Sequence, residues 1–284
     1  MSQYRYPDAI VDTKWLLDRL EDPNICIIEM DLDPEQYQQG HIPGTIFWHA
    51  SKISLSDLSI NFDLANLENL LSSSGINNNT TVIAVPGKFP ATAGLIFWLL
   101  KFLGNDDVRI LNGGRQKWIA KGLPLTKEEP KITPSNYKIE SQDNSLRVFH
   151  QEVYESINQS DRVIVDVRTP QEYSGEIFTI APPIKTERGG HIPGAIHLYY
   201  EACLNEDKTF KSFDELEKIY SQKGITRDRL IIPYCAVGAR SSHTWFVLKY
   251  LLGYPNVRNY DGSWNEWSRI EGMPIANLKM NRLN

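Results

Sequence analysis

Leu230-Ile-Ile-Pro-Tyr234-Cys235-Ala-Val-Gly-Ala-Arg240-Ser-Ser-His243 is the stretch that decides how this chain folds. The apolar run Leu230 to Tyr234 gives way, within a few residues, to a helical pattern from Ser241 to Leu252 that stops at Gly253. Apolar runs without polar alternation suit strands buried on both faces, hence a parallel sheet covered by helices. Upstream, Val163 to Val167 is a second such run. Between the two, Ser212-Phe-Asp-Glu215 reads as a capping box opening an amphipathic helix that ends before Gly224. Alternating strands and helices predict an α/β domain with helices on both faces of a mainly parallel sheet. Ligands of such sheets sit beyond the carboxyl ends of the strands, where Cys235 falls.

The same order occurs earlier in the chain. Ile25 to Met30 and Thr81 to Val85 are strand-like, with helices predicted from Asp63 and from Thr92 to Leu103. His41-Ile-Pro-Gly44 returns as His191-Ile-Pro-Gly194, 150 residues on. Gly75 and Gly224, Gly104 and Gly253, Val108-Arg109 and Val257-Arg258, Gly113 and Gly262, and Trp118 and Trp267 all match at an offset of 149. A period of this length is a duplicated domain, not a solenoid repeat. Gly122 to Ser145 is polar and holds three prolines, as an exposed linker does. The expected division is a domain over 1–130, a linker over 131–147 and a second domain over 148–284. The second copy has a longer stretch before its His-Ile-Pro-Gly turn, Ser174 to Gly190. Both turns are read as parts of the fold: Pro fixes one φ, Gly frees the next and His caps.

Composition narrows the function. The 284 residues are 41% hydrophobic and 23% charged, which excludes a disordered or coiled-coil chain. A net charge of −5 provides no global positive field for nucleic acid. The longest apolar run, Leu95 to Leu100, is far short of a bilayer span, and the start MSQYRYPDAI has no signal or transit pattern. The expectation is a cytoplasmic protein without membrane contact. Three unclustered cysteines, Cys26, Cys203 and Cys235, argue against a disulfide scaffold and against a zinc site. No metal and no organic cofactor are expected.

The duplication allows a subtraction. At offset 149, Pro86 stands opposite Cys235 and Ala91 opposite Arg240. One copy therefore has a thiol at the strand end and the other does not. The loop after Cys235 is short and rich in small residues, so its amides can turn inward as an anion nest ahead of a helix N-terminus. Both features favour a thiolate. Arg240 adds a cation, and the site suits a thiolate nucleophile acting on an anion. Cys26, inside an apolar strand, and Cys203 are read as structural.

With these residues in view, the chain resembles the tandem-domain rhodaneses, the thiosulfate and 3-mercaptopyruvate sulfurtransferases. The resemblance spans both halves. It rests on the two His-Ile-Pro-Gly turns, Asp166-Val-Arg168, the Cys235–Arg240 loop and Tyr260-Asp-Gly-Ser-Trp264-Asn-Glu-Trp267. It implies two tandem rhodanese-like domains, the first inactive, and a sulfur relay. Cys235 takes the outer sulfur of a small anionic donor as a persulfide, and passes it to a thiophilic acceptor such as cyanide, a thiol or a thioredoxin-like protein. Amides of Ala236, Val237, Gly238, Ala239 and Arg240 would hold the anionic sulfur. The resemblance also implies a monomer.

Cys phosphatases of related fold place Arg after C-x5, whereas here the spacing is C-x4-R, a loop suited to one sulfur atom. The loop lacks the C-G-S-G-V-T pattern of mercaptopyruvate members, which favours thiosulfate, with 3-mercaptopyruvate as the alternative donor. Vertebrate thiosulfate enzymes have basic residues where Ala236 and Val237 stand, and an Arg at the register of Glu172. The cationic pocket is therefore expected from Arg240 and Arg188. Trp264, opposite Arg115 in the repeat, is expected as a pocket wall, and Asp166 with Arg168 as a structural pair near the loop. His243 is a candidate general base. The alternative of another class is a non-catalytic interaction module.

Overall fold

The computed structural model describes residues 3–178 and 188–277. The chain forms two compact units. One comprises Tyr6–Asn144 with Leu204–Lys211; the other comprises Met1–Arg5, Ser145–Cys203 and Ser212–Asn284.

The N-terminal unit holds five strands: β1 (Ile10–Val11), β2 (Ile25–Asp31), β3 (Thr45–His49), β4 (Thr81–Val85) and β5 (Val108–Leu111). They pair in the order β1-β5-β4-β2-β3, parallel throughout. Helices α1 (Thr13–Leu17), α2 (Glu35–Gln39), α3 (Leu64–Ser73), α4 (Ala91–Phe102) and α5 (Gly114–Ala120) alternate with them. β4 is buried from Val82 to Val85, as its unbroken apolar run predicts. Asp63 caps α3 by accepting from the Ala65 and Asn66 amides. Every residue of α4 except Lys101 is buried, so this helix is core on all sides.

In the C-terminal unit β6 (Arg162–Asp166), β7 (Ile196–His197) and β8 (Leu230–Tyr234) pair in the order β7-β6-β8, again parallel. Parallel bridges Ile231–Val257 and Arg147–Asn259 extend the pairing beyond these strands. The helices are α6 (His150–Ser156), α7 (Pro170–Ser174), α8 (Phe213–Ser221), α9 (Ala239–Phe246) and α10 (Ser263–Trp267). The capping box at Ser212 and Glu215 forms as read. The helix expected from Ser241 to Leu252 starts two residues earlier, at Ala239, because Gly238 in the left-handed region turns the chain at its N-cap. Its last turn, Val247–Leu251, widens to a π-helix. Among the described residues no helix is long and apolar enough to cross a membrane.

Both His-Ile-Pro-Gly turns have glycine at positive φ, 79° at Gly44 and 76° at Gly194. The histidines do more than cap. His41 and His191 stack on Tyr37 and Tyr173 with ring centroids 3.7 Å apart in each case. Each donates from Nδ1 to the carbonyl of the same tyrosine, closing the end of α2 or α7. Trp118 and Trp267 are core in both units, with indole N–H groups on Pro124 O and Pro274 O. The segment expected as an exposed linker is exposed along most of its length but docks at Tyr137, which is buried with its amide on Ser72 Oγ.

Strand register refines the repeat. Ile25 pairs with Thr81 and Arg162 with Leu230. Glu29 is therefore the counterpart of Asp166, and Asp31 of Arg168, an offset of 137. The change from 137 to 150 before the second His-Ile-Pro-Gly turn is the extra stretch seen in the sequence.

Candidate active site

β8 delivers Cys235 to the carboxyl end of the C-terminal sheet, and the chain turns at Gly238 (φ 97°) into α9. A side chain at this φ is strained, so glycine is required for the turn. The turn aims the Gly238 N–H at Cys235 Sγ, 3.1 Å away. The loop carbonyls point elsewhere: Cys235 O accepts from the Trp264 amide and Ala236 O from the Asn265 amide, both in α10. Gly238 O takes the Ser242 amide and the hydroxyls of Ser241 and Ser242. With these three carbonyls bound elsewhere, the Gly238 N–H faces the sulfur, as a donor in a nest for an anion does. Cys235 is 1% exposed, and Val237 is the one loop residue that is not buried.

Ser263, which sequence reading missed, completes the thiol's surroundings. Its Oγ accepts the Cys235 amide at 3.0 Å, donates to Tyr260 O and lies 3.9 Å from Cys235 Sγ. Its φ is +55°, unusual for a residue other than glycine. The repeat carried the signal. Gly114 stands opposite Ser263 and has φ +56°, yet a Cβ there would come 2.3 Å from Pro86 O. Where Pro occupies the strand-end position only Gly fits; where Cys occupies it, Ser is kept despite about 1 kcal/mol of backbone strain. Ser263→Ala removes the acceptor of a buried N–H, so a stability loss of about 1–3 kcal/mol is expected. Ser263→Gly loses the same bond but relieves the strain and should be less destabilised by about 1 kcal/mol. Urea unfolding of the two variants checks the order, and both should lose sulfur-transfer rate alike.

Arg240 does not stand as an open cation. Its guanidinium makes a two-pronged ion pair with Glu172, at 2.7 and 2.9 Å, both groups buried. Burial raises Glu172's pKa, but the Arg240 bonds more than offset this and hold it below the usual carboxylate range. Glu172 also receives the Thr169 amide and hydroxyl in the capping box of α7. It therefore anchors the Cys235 loop to a helix start. Its register, which sequence reading found unsuited to an anion, is the partner of Arg240.

Arg188 also departs from expectation. Its Nε, Nη1 and Nη2 donate to the carbonyls of Ser268, Met273 and Ile270, so the described contacts tie backbone together. Residues 179–187 of the extra stretch before it lie outside the described residues. Trp264 is a core residue: its indole N–H donates to Arg188 O and its ring lies 4.4 Å from the Arg168 guanidinium. It contributes to the loop through its backbone amide. Asp166 and Arg168, 0% and 2% exposed, form a buried pair, with the Tyr234 hydroxyl also on Asp166 and Arg168 on Gly190 O.

His243 is buried against Cys203, with Nδ1 3.8 Å from its Sγ, and burial lowers its pKa to about 4. A neutral, enclosed imidazole of this kind serves packing, not proton transfer at Cys235. Its ordinary pKa is 6.5, so between the two values the unfolded chain binds the extra proton. Stability from His243 is therefore complete above about pH 6.5 and lost as pH falls toward 4. Glu29 and Asp261, raised by burial to about 7 and about 6, act in the opposite direction. The His243 contribution is isolated by comparison: His243→Gln should remove about 2 kcal/mol of acid destabilisation between about pH 7.5 and about pH 5, measured by urea unfolding. Cys26 is inert by environment, its thiol pushed up to about 12 by burial and donating to Ser74 O.

The site defines a class: a tandem parallel α/β protein with one strand-end thiol held in a short amide loop. Residues 12–121 and 149–270 each match the rhodanese-like domain, and the chain belongs to that family of sulfurtransferases and sulfur carriers. It is 44% identical to the sulfur carrier protein TtuD of Thermus thermophilus, over 96% of this chain and 98% of that one. It is 42% identical to a Saccharopolyspora erythraea protein named "Putative thiosulfate sulfurtransferase", over 95% and 96%. Among solved structures it resembles an EanB form described as a cysteine persulfide with ergothioneine (TM-score 0.85, 25% identity, 98% of this chain and 72% of that one). The anaerobic ergothioneine biosynthesis enzyme of Chlorobium limicola matches with TM-score 0.84 and 26% identity, over 98% and 72%.

Proposed function

We propose that the protein moves sulfane sulfur from thiosulfate to a thiophilic acceptor through a persulfide on Cys235. The observation that carries this reading is the Gly238 N–H held 3.1 Å from Cys235 Sγ in a loop whose carbonyls at Cys235 and Ala236 are bound elsewhere. The Cys235 thiolate attacks the outer sulfur of thiosulfate. A new S–S bond forms, the old one breaks, and sulfite leaves with the electron pair. The terminal sulfur of the persulfide is anionic, and loop amides from Ala236 to Arg240 stabilise it. Attack on that sulfur by cyanide releases thiocyanate, and attack by a thiolate releases a new persulfide; either restores the Cys235 thiolate. The two half-reactions give ping-pong kinetics. Arg240 supports the scheme as a fixed post, since Glu172 balances its charge. We place the protein in a reducing compartment such as the cytosol, where Cys235 stays a free thiol.

The name of the Thermus relative favours a second reading, in which the persulfide is handed to a partner protein. Steady-state thiocyanate formation with thiosulfate and with 3-mercaptopyruvate tests the donor. A higher kcat/KM with thiosulfate is expected, and a preference for mercaptopyruvate would overturn that assignment. Parallel lines in double-reciprocal plots are expected for ping-pong transfer; intersecting lines contradict it. Turnover with thioredoxin-like protein thiols far above that with cyanide would favour the carrier reading.

A further inference from the structure

The N-terminal unit has no thiol at its strand end, yet it keeps an open cleft of about 580 Å³ there. The cleft is built from segments that follow the carboxyl ends of three adjacent parallel strands. Gln36, Gln39 and Gly40 come after β2, Gly87 and Lys88 after β4, and Arg115 and Gln116 after β5. This is where an open parallel α/β sheet places its ligands. Lys208 reaches it from Leu204–Lys211, which belongs to the same unit.

The lining chemistry is one-sided. Three cations, Lys88, Arg115 and Lys208, and three carboxamides, Gln36, Gln39 and Gln116, face the cleft, and no acidic side chain lines it among the described residues. The chain as a whole has a net charge of −5, so this is a local concentration of positive charge. The acids nearby are engaged: Asp31 accepts the Leu32 and Phe89 amides, and Glu35 accepts from Gln39 Nε2. Glu29, beneath Gly87, pairs with Arg115 at 3.2 Å, and Asp207 pairs with Lys117 at 3.1 Å. Ile119 and Leu125, both exposed, add an apolar side.

Comparison of the two copies shows where the cations come from. Lys88 occupies the place of Val237 and Arg115 that of Trp264. Arg115 also takes over the neutralising role that Arg168 plays toward Asp166, since Glu29 is Asp166's counterpart in register. A domain kept only for packing has no need of an open polar cleft at the ligand-binding end of its sheet. We propose that this cleft binds a small organic carboxylate, with the acidic head toward Lys88 and Lys208 and an apolar body against Ile119 and Leu125.

The test is calorimetric titration of the full chain with phenylacetate, its uncharged analogue phenylacetamide, and inorganic sulfate. The expected result is one site for phenylacetate. Its Kd should be at least about tenfold lower than that of either control. Lys88→Gln/Lys208→Gln should weaken it at least about tenfold, with sulfur transfer retained as the sign that the variant is folded. Cys235→Ser and added thiosulfate should leave it unchanged, which separates this cleft from the thiol site. Any of four results overturns the proposal: no binding of phenylacetate, equal binding of the amide or of sulfate, insensitivity to the lysine changes, or loss of binding in Cys235→Ser.

Discussion

Cys235→Ser is expected to lower kcat/KM for thiosulfate-to-cyanide transfer by about three orders of magnitude or more, with little change in stability. Serine fits the space and keeps the backbone bonds to Ser263 and Trp264, so the loop stays folded. What it lacks is a thiolate able to form a sulfur–sulfur bond. The other thiols cannot take over: Cys26 is enclosed in β2 and Cys203 is buried between Tyr200 O and His243. Cys26→Ser should therefore leave transfer per folded molecule within about twofold of wild type. Parallel assays of the two variants, each normalised to folded protein, check the contrast.

The second large effect is on stability. Asp166→Ala leaves the Arg168 guanidinium in the core without its carboxylate and deprives the Tyr234 hydroxyl of its acceptor. Burial alone lowers the pKa of Arg168; Asp166 more than reverses this and keeps it charged. Removing one member of such a pair costs about 3–5 kcal/mol, because an uncompensated buried charge remains. Replacing both, as in Asp166→Ala/Arg168→Met, should recover part of that loss. Urea midpoints for the single and double variants test this; a single variant as stable as wild type contradicts the role given to the pair.

The duplication made the architecture readable. Matches at a fixed offset of 149 located the second copy, and apolar runs such as Thr81 to Val85 and Leu230 to Tyr234 mark strands buried on both faces. The strand-end thiol was also legible, because Pro86 against Cys235 is a difference at a strand end. What escaped reading was partnership across the fold. Glu172 looked hostile to an anion because its distance from Arg240, 68 residues along the chain, hides their ion pair. Arg188 looked like a free cation because its acceptors are backbone carbonyls, which have no residue signature. Ser263 was hidden by its conformation: a serine at positive φ cannot be told from an ordinary turn serine without the backbone. The repeat sets Gly114 against Ser263, but a glycine-to-serine difference carries no label for backbone conformation.

Intact-mass measurement of the protein after brief incubation with thiosulfate, followed by removal of the donor, tests the central claim most directly. The account predicts a gain of one sulfur atom per chain, located on the Cys235 peptide, absent in Cys235→Ser and discharged by cyanide as thiocyanate. An unchanged mass in protein that still forms thiocyanate, or sulfur carried equally by Cys235→Ser, would contradict it.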